Sequence, residues 1–90
     1  MTVALSGNFT FAESAAFRAI IDEVATSGPT AVAIDMSGLR MVDSAALSML
    51  MQMRDRLTPT GASITLLHPS PLVDRVLSVV DFGRLFTIVR

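Results

Sequence analysis

Residues 41–51, MVDSAALSMLM, place an acid and a hydroxyl directly before a run of alanine, leucine and methionine. Asp and Ser are common at helix N-termini, because a side-chain oxygen of either residue accepts a hydrogen bond from an otherwise unpaired backbone N–H. Asp43 and Ser44 are therefore candidates for a helix cap. The local sequence leaves open whether Ser44 is only a cap or also a position where chemistry occurs.

A second set of residues that could carry out a reaction combines Ser44 with Asp35 and His68. Asp35 and His68 both lie at the ends of predicted strands, and sites in parallel sheets usually form at the carboxyl ends of the strands. Ser, His and Asp at one edge could support hydrolysis. However, the chain has no Gly-x-Ser-x-Gly elbow, and no second backbone donor for an oxyanion is evident. We therefore expect no enzyme and no catalytic residue, and a small hydrolase is the remote alternative.

The composition restricts the classes of function further. Ninety residues predict a single domain over residues 1–90. Without cysteine and with one histidine, the sequence predicts no metal site, and we expect no cofactor. The seven basic residues are scattered, so no basic stripe for nucleic acid is present. The sequence contains no run of eighteen apolar residues that could span a membrane. The expected location is cytoplasmic.

Alternating strand-like and helix-like segments indicate the elements that position Asp43 and Ser44. The predicted strands are 2–5, 31–36, 63–68 and 85–89, with a loop at 37–40. Apolar residues at helical spacing predict one helix after each of the first three strands. This β-α-β-α-β-α-β order predicts an α/β fold, with about four strands in a mostly parallel or mixed sheet packed with three helices.

The predicted second helix begins at Ser44 and separates into faces at 100° per residue. The expected core stripe is Ala46, Leu47, Leu50, Met53 and Leu57. The expected polar face contains Ser44, Ser48, Gln52 and Asp55, with Ala45, Met49 and Met51 along its edges. We expect Met49 and Met51 to belong to a partner surface rather than to the core. For the third helix, the expected core face is Leu72, Val76, Val79 and Val80.

Three segments together resemble the STAS domain family (sulfate transporter and anti-sigma factor antagonist). Residues 33–47, AIDMSGLRMVDSAAL, are similar to the family's apolar strand that ends in Asp and leads to Asp-Ser-Ser/Thr-Gly-Leu at a helix start. Residues 5–10, LSGNFT, resemble its early Leu-x-Gly-x-Leu-Asp, and residues 61–88 resemble its last strands and helix. The resemblance covers nearly the whole chain.

The resemblance to the anti-anti-sigma branch implies a regulatory function without enzymatic activity. It places the phosphorylated serine at Ser44. It also implies a serine kinase that is an anti-sigma factor, and a phosphatase, as partners. The dephosphorylated protein would bind the kinase and the phosphorylated protein would not. The expected partner-binding residues are Asp43, Ser44, Ala45, Ser48, Met49, Met51 and Gln52.

Three positions depart from the family pattern. Ala45 replaces the second hydroxyl residue, Ala46 replaces Gly, and Thr10 stands where Asp is usual. Ser44 is therefore the only phosphate acceptor within the motif. The alternative role within the family is that of a constitutive subunit of a lipid ABC transporter or a signalling scaffold, in which Ser44 only caps the helix.

Overall fold

Strands and helices alternate from one end of the chain to the other in the computed structural model, which describes all residues from Met1 to Arg90. The strands are β1 (Thr2–Phe9), β2 (Ala31–Val42), β3 (Ser63–Leu67) and β4 (Thr87–Val89). The helices are α1 (Ser14–Ser27), α2 (Ser44–Leu57) and α3 (Pro71–Val79). Single 3-10 turns lie at Phe11–Glu13, Thr58–Thr60 and Phe82–Arg84. The predicted order of elements is confirmed.

The four strands form one sheet in the order β1-β2-β3-β4, and every neighbouring pair is parallel. The sheet is therefore wholly parallel, where a mostly parallel or mixed sheet was predicted. Each crossover adds a strand on the same side as the last one, so right-handed connections place all three helices on one face. The side chains of Val32, Ile34 and Met36 in β2 point to that face and are buried.

The opposite face of the sheet has no helix over it. Ala33 and Asp35 in β2, and Thr65 and Leu67 in β3, alternate with the buried residues and are partly exposed. Parallel sheets usually carry helices on both faces, so this uncovered face is an unusual feature of the fold.

β2 is twice as long as predicted, because the expected loop at residues 37–40 continues the strand. Five steps along β1, from Ala4 to Phe9, pair with seven steps along β2, from Asp35 to Val42, so β2 contains irregularities that take up the extra residues. Gly38 lies at the first of them. A Cβ at Gly38 would lie 3.1 Å from the Leu5 carbonyl oxygen, so the close approach of the strands there favours glycine.

The core face predicted for α3 is wrong. The structure buries Val73 and Leu77 instead, and leaves Val76 half-buried. Leu72, Val79 and Val80 are exposed. The physical reason is that α3 has apolar residues on two sides, and either set has helical spacing. The position of the helix on the sheet selects the Val73–Leu77 pair, and the sequence of the helix alone does not.

Candidate functional site at the start of α2

Asp43 is the N-cap of α2, and Ser44 is the first residue of the helix. Asp43 has extended backbone angles, and its Oδ1 accepts a hydrogen bond of 2.8 Å from the Ala46 N–H. The Leu47 N–H donates to the Asp43 carbonyl oxygen at 3.2 Å, which is the first bond of the helix. The cap is thus complete without the Ser44 hydroxyl, and the expectation that Ser44 itself caps the helix is wrong.

The second carboxylate oxygen of Asp43 connects α2 to the segment after β1. Asp43 Oδ2 accepts a hydrogen bond of 3.1 Å from the Phe11 N–H. The Asp43 N–H in turn donates to the Phe9 carbonyl oxygen at 3.3 Å. The hydrogen bond from the Ala46 N–H is the main cause that lowers the pKa of Asp43, and the bond from Phe11 adds to it. Asp43 is therefore ionised at neutral pH and positions Phe11 beside the start of α2.

A second carboxylate lies near this site. Glu13 Oε2 accepts hydrogen bonds from the Thr10 hydroxyl at 2.8 Å and from the Thr10 N–H at 3.0 Å, and these bonds lower the pKa of Glu13. The three ion pairs of the structure all lie elsewhere. Ser44 is thus exposed beside ionised carboxylates, with no ion-paired arginine at the site.

Met49 does not belong to the exposed surface of α2. Its side chain is 3% exposed and lies in the core together with Ala46, Leu50 and Met53. Met49 is three residues after Ala46, which is close enough to one helical turn to place both on the buried side. The prediction of Met49 as a partner-binding residue is therefore wrong. Leu47, predicted in the core, is only half-buried.

The other predicted residues of the surface lie where contact with a partner is possible. Ser44, Ser48 and Gln52 are exposed, Asp43 and Ala45 are half-buried, and Met51 is half-buried against the edge of the core. Ala46 is fully buried, so its methyl group points inward and adds nothing to this surface.

Two exposed apolar residues beside Ser44 were not predicted from the sequence. Phe11 is 72% exposed, and its backbone is held against Asp43. Met41 is 41% exposed and lies two residues before Asp43. Large exposed apolar side chains are common in binding surfaces, so both residues are candidates for contact with a partner. Phe11 follows LSGNFT as an isolated phenylalanine and belongs to no periodic pattern. Its position outside the apolar stripe of α1 was the one signal in the sequence that it could be exposed.

Ser44, Asp35 and His68 do not form a catalytic triad. Asp35 lies opposite Leu67 in the sheet, next to His68. Hydrogen bonds from Ser37 are the main cause that lowers the pKa of Asp35, and a smaller electrostatic contribution comes from His68. Ser44 follows the far end of β2. Asp35 pairs with Ala4 and Val42 pairs with Phe9, so five residue steps of β1, or about 16 Å, separate Asp35 from the end of β2 that precedes Ser44. Triad residues need hydrogen-bond contact, so the structure excludes this arrangement.

Comparison with known proteins identifies the family. The family model described as "Mlab, STAS domain" matches residues 1–89. A STAS-domain containing protein of Pseudomonas aeruginosa (strain UCBPP-PA14) is 33% identical over 88 residues, which are 98% of this chain and 86% of that protein. The chain belongs to the STAS domain family. The family predicted from the three sequence segments is thereby confirmed.

Solved structures show the same STAS fold at lower sequence identity. A Thermotoga maritima protein provisionally described as an anti-sigma factor antagonist has a TM-score of 0.88 and 22% identity, covering 99% of this chain and 79% of its own. An anti-sigma factor antagonist from Mycobacterium paratuberculosis has a TM-score of 0.87 and 20% identity, covering 98% and 74%. The anti-sigma factor antagonist SpoIIAA in its unphosphorylated form has a TM-score of 0.77 and 21% identity, covering 99% and 77%.

These neighbours share the fold of this chain and are themselves described as anti-sigma factor antagonists. Among the described residues, no helix combines the length and the apolar character needed to span a bilayer. No group of three or more potential ligands among His, Asp and Glu is found. The candidate site of this STAS domain is the start of α2, where Asp43 caps the helix and Ser44 is exposed.

Proposed function

We propose that this STAS domain is a cytoplasmic anti-sigma factor antagonist that acts by partner switching. Phosphorylation of Ser44 by a serine kinase, itself an anti-sigma factor, prevents binding of that kinase, and a phosphatase restores it. The observation that carries the proposal is that Ser44 is exposed at the start of α2 while Asp43 provides the cap. The hydroxyl is therefore free to be modified without loss of the helix.

The charges around Ser44 support a switch that acts on the partner rather than on the fold. A phosphate adds about −1.5 to −2 charges, which free N–H groups and the helix dipole tolerate at a helix N-terminus. Nearby Asp43 and Glu13 are ionised, and the ion pairs of the structure lie elsewhere. A partner that closes over this site would have to desolvate a dianion without a counter-charge, at a cost of roughly several kcal/mol.

The proposed partner surface surrounds Ser44 and excludes Met49. Its members are exposed or half-buried and lie on the outer side of α2 or beside its start: Phe11, Met41, Asp43, Ser44, Ala45, Ser48, Met51 and Gln52. Phe11, whose backbone is held against Asp43, supplies a large exposed apolar side chain of the kind that binding surfaces use.

A constitutive STAS subunit, in a lipid ABC transporter or a signalling scaffold, is the second candidate. The description of the matched family model names Mlab, whereas the solved neighbours are described as anti-sigma factor antagonists. In this second role Ser44 would not be phosphorylated, and a charge at that position would not control assembly.

The experiment is a binding titration of the partner captured from the native cell with the wild-type domain. We expect phosphorylated protein and Ser44→Asp to bind at least about tenfold more weakly than wild type, and Ser44→Ala to bind normally and resist the kinase. Ser63→Asp is the control, because Ser63 is exposed at the start of β3, at the opposite end of the sheet. Equal affinities for all five proteins would refute the switch and favour the constitutive subunit.

A further inference from the structure

A groove runs between β1 and α1, and only its Glu13 end approaches the site at Ser44. Val3 and Leu5 form its β1 wall. The opposite wall, called the α1 wall, contains Glu13 from the turn just before α1 and Ala16, Ile20 and Glu23 from α1. Two clefts of about 120 and 290 Å³ lie along it, and Ile20 lines both of them. These six residues define the β1–α1 groove.

The strand beside the groove is an open edge of the sheet. β1 pairs only with β2, and both backbone groups of Met1 bond to β2: its N–H₃⁺ donates to Ala31 and its carbonyl accepts from Ala33. Backbone groups alternate in direction along a strand, so those of Thr2 and Ala4 point away from the sheet. An edge of this kind can accept another strand.

The β1 edge lacks charged residues and proline, which usually prevent strand addition, and its pairing with β2 becomes irregular only after Ala4. Residues 2–9, TVALSGNF, contain no charged residue and no proline. The opposite edge is different, because β4 has three residues and is followed by Arg90, which pairs with Asp74. Only the β1 edge is long enough, eight residues, to support several new backbone hydrogen bonds.

The acidic residues of the α1 wall favour a positively charged ligand. Glu13, Ala16, Ile20 and Glu23 follow one another at helical spacing, with acids at both ends and an apolar residue between them. No arginine lines either cleft. Ten residues of helix separate the two acids by about 15 Å, and four steps of an extended chain span about 13 Å.

We propose that the β1–α1 groove binds an extended polypeptide segment of another protein, which adds to β1 as a fifth strand. Side chains at positions i, i+2 and i+4 of that segment face the groove, because alternate residues of a strand share a face. The segment carries basic residues at i and i+4 opposite Glu13 and Glu23, and an apolar residue at i+2 over Ile20. Hydrogen bonds from the edge provide affinity, and the acids select the charge.

A second copy of this chain fits the groove less well than a basic segment. Antiparallel pairing of β1 with its own copy about a two-fold axis would bring the Glu13 end of one groove to the Glu23 end of the other. Like charges would then face each other at both ends of the contact. Neither alternative requires Ser44. Glu13 lies near both sites, so Glu23, at the other end of the groove, is the residue that distinguishes groove binding from the function proposed for Ser44.

The test uses a capped synthetic peptide with the core Arg-Thr-Leu-Thr-Arg, which presents the same pattern in either direction along β1. Titration into isotope-labelled protein, followed by NMR, should shift amide signals of β1 and of residues around Ile20, and should protect the Thr2 and Ala4 amides from hydrogen exchange. The matched peptide Glu-Thr-Leu-Thr-Glu should bind about tenfold more weakly, as two exposed charge pairs become repulsive.

Two variants identify the contact. Ala4→Pro removes an N–H group on the free edge of β1, so it should abolish binding of the peptide. The fold should be retained, because edge strands tolerate proline where the N–H points away from the sheet. Glu23→Arg should reduce the preference for the basic peptide, whereas Asp55→Arg, the same charge change on the outer face of α2, should not. Equal binding of both peptides, no binding, or shifts outside the groove would overturn the proposal. A dimer in sedimentation that Ala4→Pro dissociates would assign the edge to a second copy and overturn it as well.

Discussion

At the start of α2, the carboxylate of Asp43 accepts hydrogen bonds from two backbone N–H groups, while the neighbouring Ser44 hydroxyl is exposed. The bond from Ala46 completes the helix cap, and the bond from Phe11 fixes the segment that follows β1. The two residues that are adjacent in the motif therefore have separate duties: Asp43 stabilises the site, and Ser44 is available to a kinase or a partner.

This division predicts unequal effects of alanine at the two positions. Asp43→Ala removes the acceptor for both N–H groups and should lower the melting temperature by about 5 °C. Ser44→Ala should change it by less than about 2 °C, because the serine caps nothing. Asp43→Asn is the control, since an amide oxygen still caps the helix. Thermal unfolding followed by circular dichroism measures these shifts, and an Ser44→Ala loss as large as that of Asp43→Ala would contradict the assignment.

The lowered pKa of Asp43 also predicts how stability depends on pH. Hydrogen bonds, first from Ala46, hold the folded-state pKa below the ordinary value of 3.8, so the unfolded chain takes up the proton first on acidification. The stabilisation is fully present above 3.8 and is lost as the pH falls through the lower folded-state value. Asp43→Asn should therefore lose less stability than wild type between about pH 6 and pH 3.

Urea unfolding at both pH values is the measurement for this prediction. Asp55→Asn, at an exposed position on the outer face of α2, should keep the acid sensitivity of the wild type. Glu13, whose pKa is lowered by hydrogen bonds from Thr10, and Asp35, whose pKa is lowered mainly by hydrogen bonds from Ser37, titrate in the same direction and contribute to the remaining loss. An Asp43→Asn protein as acid-sensitive as the wild type would show that the carboxylate does not stabilise the fold.

At the scale of single elements, periodicity predicted where the helices lie better than which side of them is buried. The bounds of α2, residues 44–57, agree with the sequence, since Asp43 and Thr58 flank one continuous apolar pattern. Its methionines were divided wrongly, because methionine occurs on both sides of the helix. In α3, valines and leucines cover two sides, and only the position of the helix on the sheet decides between them.

The corrected face of α2 predicts different costs for its two edge methionines. Met49→Ala empties a site that is 3% exposed and should lower the free energy of unfolding by about 2–5 kcal/mol. Met51→Ala, at a half-buried position, should cost at most about 1 kcal/mol. Chemical denaturation of the two variants measures the difference. Equal, small losses would place Met49 outside the core and restore it to the partner surface.

At the scale of the molecule, the β-α order was sufficient to predict a parallel sheet, and the three motif segments were sufficient to predict the STAS family. The length of β2 was not predictable in the same way. Ser37, Gly38 and Arg40 have the composition of a loop, and they join the strand because β1 runs alongside and Gly38 permits close approach. Phe11 was missed for a related reason: its place beside Ser44 depends on a hydrogen bond to a residue 32 positions away.

At this scale the chain has a single hydrophobic core, which predicts that it unfolds cooperatively. All 20 buried residues form one cluster, which includes residues from every helix and from β1, β2 and β3. No part of the chain has a second core, so residues 1–90 should unfold as one domain in a single transition. Scanning calorimetry should give an unfolding enthalpy of about 60 kcal/mol near 60 °C, equal to the van't Hoff value. Two transitions, or a calorimetric enthalpy well above the van't Hoff enthalpy, would show that the sheet and one of its helices unfold independently.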